Sequence, residues 1–293
     1  MHAALRLGAA GLATTLTLTA AACTAGSEDE VLRYVALGDS FTAAPYVPQT
    51  NEADPCLRST GNYPSVLARA LDGGDHQVRL TDVSCSGART SDLTGSQQVR
   101  GDAVPPQLDA LDEDTDLVTL SIGGNDQALF STMVYGCIEL AQADPTGAPC
   151  TERAGTLGGG AALEDLVERI RGNLDGIYAE IADRAPDARV ISVGYPDIFP
   201  PRGTPACQER LPLALGDFDL THDLLAALDE AMRDAAADAG VDFLDVRALS
   251  EGHDICSADP WVNGQHTDKD AALEFHPFAS YEQAVADALL EML

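Results

Sequence analysis

Five apolar, strand-like runs alternate with four amphipathic helical stretches along this chain, and the alternation restricts its fold more than any other feature. The runs lie at 31–37, 77–83, 116–122, 188–193 and 241–246. The first, Val31-Leu32-Arg33-Tyr34-Val35-Ala36-Leu37, reads as a buried strand. The helical stretches lie at 63–71, 161–184, 218–239 and 281–293. In the second of these, Leu163, Leu166, Val167, Ile170, Leu174, Ile177 and Ile181 recur at helical spacing. Strands separated by helices pair in parallel, because each crossover returns the chain to the same end of the sheet. The expectation is an α/β fold: one domain over 31–293, in which a central parallel five-stranded sheet is covered by helices on both faces. A chain of 293 residues that is 45% hydrophobic has enough apolar side chain for such a core.

Ahead of the first strand the chain reads as a targeting segment. His2 and Arg6 give a weakly positive start, and 7–22 is apolar and small, too short for a comfortable membrane span. Residues 1–22 are therefore expected to be a signal peptide, ending at Ala20-Ala21-Ala22-Cys23. That ending resembles a bacterial lipoprotein signal, in which Cys23 becomes the acylated first residue and anchors the chain to a membrane. It departs from the pattern at Ala20, where Leu is usual; cleavage at a plain Ala-x-Ala site, giving a secreted protein, is the alternative. Residues 23–30 are polar and make a short tether. Setting Cys23 aside leaves six cysteines, and an even set in an exported chain reads as disulfides. Fifteen pairings are open. The simplest joins sequence neighbours: Cys56–Cys85, Cys137–Cys150 and Cys207–Cys256. No Cys-x-x-Cys spacing suggests a metal or redox site.

Charge narrows the partners. Seventeen basic residues against 47 acidic ones leave a net charge of −30, and Lys269 is the only lysine. Nothing here would neutralise phosphates, so nucleic acid is excluded as a partner. The run Asp112-Glu113-Asp114-Thr115-Asp116 lacks the spacing and the Gly of a calcium loop, and the acidity reads as a contribution to solubility. His76, His222, His253 and His266 read as loop or surface residues; with no His-Glu-x-x-His cluster, neither metal nor cofactor is expected. A monomer is expected.

Three of the four chemistry-bearing segments fall at strand ends. Gly38-Asp39-Ser40 follows the first strand, and Ser84-Cys85-Ser86-Gly87-Ala88-Arg89-Thr90 the second. Ile122-Gly123-Gly124-Asn125-Asp126 follows the third, and Phe275-His276-Pro277 precedes the last helix. The carboxyl edge of an open parallel sheet is where ligands and chemistry collect. Long Pro- and Gly-rich loops at 43–62, 136–160 and 196–216 hint at a rim around such a site. Arg89 reads as a loop brace ahead of a contact for a substrate carboxylate. Trp261 either walls the site or fills core. No Gly-x-Ser-x-Gly elbow occurs, which argues against the ordinary α/β-hydrolase fold.

Four blocks in this order resemble the GDSL or SGNH esterase/lipase superfamily, named for Ser, Gly, Asn and His, here Ser40, Gly87, Asn125 and His276. Phe41 stands where the motif's name has Leu, and Leu273 stands where many members carry an acid, three residues before the His. The six cysteines resemble those of secreted actinobacterial members with three disulfides. The resemblance implies a flavodoxin-like α/β/α fold and hydrolysis of carboxylic or lipid esters. Ser40 would be the nucleophile and His276 its base, with the Ser40 and Gly87 backbone N–H groups and the Asn125 amide holding the oxyanion. It also implies that the Leu273 backbone carbonyl orients His276; Glu274 and Asp270 are the alternatives, and Asp39 is expected to brace the turn. The residue types suit the task, since a serine hydroxyl needs a base near neutral pKa and a developing oxyanion needs neutral donors. A polysaccharide O-deacetylase or an acyltransferase would use the same machinery, and a non-catalytic envelope lipoprotein is the reading from another class.

Overall fold

The computed structural model describes residues 31–72, 77–157 and 163–293 together with Met1. The expected signal peptide, the tether, Cys23 and His76 lie outside the described residues. Five strands, β1 (Val31–Gly38), β2 (Gln77–Asp82), β3 (Leu117–Ser121), β4 (Arg189–Val193) and β5 (Asp242–Leu244), form one parallel sheet in the order β2-β1-β3-β4-β5. Every residue of central β3 is buried, whereas β2 at the edge alternates exposed with half-buried. That contrast is what a sheet covered on both faces produces at its middle and at its rim.

The principal helices are α1 (Ser40–Ala43), α2 (Tyr63–Asp72), α3 (Leu163–Arg184), α4 (Phe218–Ala239) and α5 (Ala279–Met292). From β1 the chain steps outward through α2 to β2; from β3 it steps the other way through α3 and α4 to β5. Right-handed crossovers running in opposite directions put α2 on one face and α3 with α4 on the other. α3 packs along α4, and α5 returns to cover α2. The core between these layers holds Tyr34, Leu37 and Leu120 of the sheet, Ile170 and Leu174 of α3, Leu228 and Met232 of α4, and Val285 and Leu289 of α5. The strand order reverses direction between β1 and β3, the kind of switch point at whose carboxyl edge ligands collect in open α/β sheets.

Cys56–Cys85, Cys137–Cys150 and Cys207–Cys256 are disulfide-bonded. Several short stretches differ from the expected elements, three of them as follows. The loop at 136–160 contains helical turns, Cys137–Ala141, Thr151–Arg153 and Ala154–Leu157, each too short to show a periodicity. A small hairpin, Gln97–Val99 with Asp102–Val104, turns on Arg100 and Gly101, both left-handed. Arg is not a residue that announces such a turn. The fifth strand pairs only over Asp242–Leu244, because the Asp245 side chain caps the Ala248 N–H and turns the chain into Val246–Leu249. Among the described residues no helix is long and apolar enough to cross a membrane.

Candidate active site

β1 ends on Gly38, whose φ is +146°. A Cβ there would lie 2.6 Å from the Ser121 carbonyl oxygen and 2.3 Å from Thr42 Oγ1, so only glycine fits. Gln107 grips the same residue from both sides: Gly38 N–H donates to Gln107 Oε1 at 2.8 Å, and Gln107 Nε2 donates to the Gly38 carbonyl at 2.9 Å. The chain then turns into α1, and the Asp39 side chain caps it by accepting from Phe41 N–H at 2.9 Å. Ser40 is the first residue of that turn and is 7% exposed. Its Oγ has no hydrogen-bond partner among the described residues.

The loops after β2 and β3 meet this turn. Gly87 sits at φ +77°, and a Cβ would find nothing closer than Gln97 Nε2 at 3.9 Å. Backbone conformation, rather than lack of room, is thus what asks for glycine there. Asn125 Nδ2 donates to the Ala88 carbonyl at 3.1 Å and reaches Asp39 Oδ2 at 3.4 Å, so one side chain touches both neighbouring loops. Asp126 adds a second tie: its carboxylate accepts from Thr90 N–H at 2.8 Å, from Thr90 Oγ1, and from Asn173 Nδ2 of α3 at 2.9 Å. The backbone N–H groups of Ser40 and Gly87 have no protein acceptor among the described residues.

His276 arrives from the other end of the chain. Asn263 N–H donates to its carbonyl at 2.9 Å, and Val262 bridges to Pro277. Its ring lies 5.4 Å from that of Phe41, the residue after Ser40, and 6.2 Å from that of Phe130. The carbonyl that meets Nδ1 belongs to Glu274, at 2.6 Å, and not to Leu273. Phe275, at φ +57°, reverses the chain so that the carbonyl two residues back faces the ring. The Leu273 carbonyl is already occupied, accepting from His276 N–H at 3.2 Å and Asn263 Nδ2 at 3.1 Å. The Glu274 carboxylate bonds Thr267 Oγ1, and Asp270 is exposed. Burial pushes the His276 imidazole down to about 4, opposed by its bond to the Glu274 carbonyl. Burial pushes the Asp39 carboxyl up to about 7, opposed by the donors Tyr195 and Phe41.

The GDSL-like lipase/acylhydrolase family model matches residues 36–281. The chain belongs to this family. Lipase 2 of Streptomyces coelicolor is 38% identical over 275 residues, spanning 89% of this chain and 86% of that protein. An esterase of Streptomyces scabiei is 34% identical over 293 residues, spanning 89% and 83%. Among solved structures, a phospholipase A1 from Streptomyces albidoflavus superposes with a TM-score of 0.71 at 28% identity, covering 89% of this chain and 99% of that one. An extracellular lipase from Streptomyces rimosus gives 0.72 at 26% identity, covering 89% and 100%. This GDSL-family chain is accordingly a carboxylic-ester hydrolase built on the SGNH-hydrolase fold.

Three residues that tie this family member's strand-end loops together carry no local sequence signal. Gln107 sits in a 3₁₀ turn, Asp126 follows the Asn of its block, and Tyr195 follows β4 in Gly194-Tyr195-Pro196. Only the position of Tyr195 at a strand's carboxyl end could have flagged it. Arg89 is exposed, and its backbone N–H donates to the Asp92 carboxylate at 2.9 Å, opening the turn Thr90–Thr94. Trp261 stacks on His253 with ring centroids 4.2 Å apart and packs against the core edge. Among the described residues no group of His, Cys, Asp or Glu could hold a metal.

Proposed function

We propose that Ser40 is the nucleophile and His276 the base in hydrolysis of a carboxylic ester through an acyl-Ser40 intermediate. The observation that carries this reading is the hydrogen bond at His276 Nδ1. A carbonyl can only accept, so Nδ1 carries the proton and Nε2 is left as the basic nitrogen. Burial keeps that imidazole neutral, and its ring packs against Phe41, beside Ser40. In the first step a bond forms between Ser40 Oγ and the ester carbon while Nε2 takes the Oγ proton. The carbonyl oxygen becomes an oxyanion, received by the unengaged N–H groups of Ser40 and Gly87 and by the Asn125 amide. The ester C–O bond then breaks and the alcohol leaves with the proton from Nε2. Water repeats the sequence on the acyl-enzyme and releases the acid. Among the described residues no carboxylate meets His276 Nδ1, so the Glu274 carbonyl fixes the tautomer and Ser40–His276 is a dyad. Ser40→Ala is expected to abolish hydrolysis of p-nitrophenyl butyrate and labelling by a fluorophosphonate, with the melting temperature unchanged. Turnover retained in that variant would sink the assignment.

The site is proposed to work outside the cytoplasm. Three disulfides suit an oxidising compartment. Residues 1–22 read as the signal that would take it there, and Cys23 as the residue that would receive a lipid. The mass of the mature N-terminus decides it: a diacylated Cys23 supports anchoring, and a mature chain lacking Cys23 refutes it. Rates on p-nitrophenyl esters from acetate to palmitate assign the acyl length.

A further inference from the structure

Asp39 is completely buried, and its two carboxylate oxygens serve different parts of the site. Oδ1 accepts from Phe41 N–H at 2.9 Å and holds the Ser40 turn. Oδ2 is shared: Tyr195 OH donates to it at 2.6 Å, while Asn125 Nδ2 stands at 3.4 Å. The Tyr195 hydroxyl in turn accepts from Gly124 N–H at 3.0 Å, one residue before Asn125. The Tyr195 ring is buried edge-on against Phe41, 5.2 Å between centroids, and a Cβ on Gly124 would lie 3.0 Å from its hydroxyl. Tyr195 comes from the end of β4, a strand that contributes none of the four motif residues, yet it is wedged between the Ser40 turn and the Asn125 loop.

We propose that Tyr195 is a positioning residue for the oxyanion hole, acting through Asp39 and Gly124 on Asn125. The inference rests on the Ser40, His276 and Asn125 assignment above. The Asn125 amide has two N–H groups. One is engaged by the Ala88 carbonyl at 3.1 Å and fixes the amide plane. The other faces Asp39 at a distance beyond a good hydrogen bond. The short Tyr195 bond occupies Asp39 Oδ2, so the carboxylate holds this second N–H loosely and leaves it available to a substrate oxyanion. Without the hydroxyl, Oδ2 would draw the Asn125 amide in and Gly124 N–H would lose its acceptor. The donor would then be spent on the protein instead of the transition state.

Steady-state kinetics on p-nitrophenyl butyrate with wild type, Tyr195→Phe, Asn125→Ala and the double variant test this. Phe keeps the ring packing and removes only the hydroxyl. Tyr195→Phe is expected to lower kcat about tenfold with KM within about twofold of wild type. Asn125→Ala is expected to lower kcat by about 10²–10³. The double variant should be no slower than Asn125→Ala alone, because Tyr195 then has no amide left to position. An unchanged kcat in Tyr195→Phe would overturn the proposal, and so would the same tenfold loss appearing again in the Asn125→Ala background. If Tyr195→Phe fails to fold, Tyr195→Met, likewise apolar and without a hydroxyl, carries the same expectations in the same cycle. A wild-type enzyme that hydrolyses no ester and takes no fluorophosphonate would instead be a failure of the Ser40 and His276 assignment.

Discussion

His276 is held by its own backbone, and that choice has consequences for pH. Burial places its pKa near 4, below the value of a free imidazole, so the basic form persists well into the acid range. The acid limb of kcat/KM is therefore expected at about pH 4–5, and a limb near 6.5 would mean that the ring is solvated in the working enzyme. Because Nδ1 meets the Glu274 carbonyl, replacing the neighbouring carboxylates should matter little. Glu274→Ala and Asp270→Ala are each expected to keep most of kcat; a loss beyond about tenfold in either would return a side chain to the dyad. The four motif residues were legible because each is a chemically marked residue, three of them just after a strand and His276 just before the last helix. The orienting carbonyl was misplaced by one residue, because only the left-handed turn at Phe275 decides which carbonyl faces the ring.

At the scale of elements, the junction of α2 with α5 is sealed by Glu282. This fully buried residue of α5 accepts from Tyr63 N–H, in the first turn of α2, at 2.6 Å through Oε2, while Oε1 has no partner among the described residues. Burial drives its pKa well above the ordinary carboxylate range. The folded protein thus keeps a proton that the unfolded chain gives up above about pH 4.3, so the stabilisation is complete below that pH and declines as pH rises. Glu282→Gln keeps the acceptor and removes the titration. Its melting temperature is expected to gain on wild type between about pH 5 and pH 8, and an equal difference at both would refute this. Glu282→Ala leaves Tyr63 N–H without a partner in the core and should cost about 1–3 kcal/mol. No sequence pattern marks this seal, since a glutamate on the last helix reads as a solvated residue until α5 is seen lying on α2.

For the whole molecule, the disulfides and the charge set the terms of stability. Cys207–Cys256 closes a loop of 49 residues, joining the segment after β4 to the stretch that leads to His276. By loop length alone its removal as a paired Cys207→Ser and Cys256→Ser change should cost about 4 kcal/mol in denaturant unfolding. An undiminished unfolding free energy would show that the loops are held by packing instead. A net charge of −30 repels itself, and salt screens that repulsion. The melting temperature is expected to rise between about 0.01 M and 0.5 M salt, and a fall would point to stabilising ion pairs such as Arg233 with Asp229 and Asp245 as the larger effect.

The sequence by itself determined the α/β class, the five strands, the four long helices and the Ser, Gly, Asn and His blocks. These are set locally, by periodicity, chain reversal and residue chemistry, over spans shorter than one element. Only the tertiary structure decided what holds the blocks together. Tyr195, Asp39, Gln107, Asp126 and Glu282 act through partners that are mostly far away in sequence, across strand order and helix packing. A buried polar side chain acquires its meaning from the group it meets, and that group is known only once the sheet is assembled.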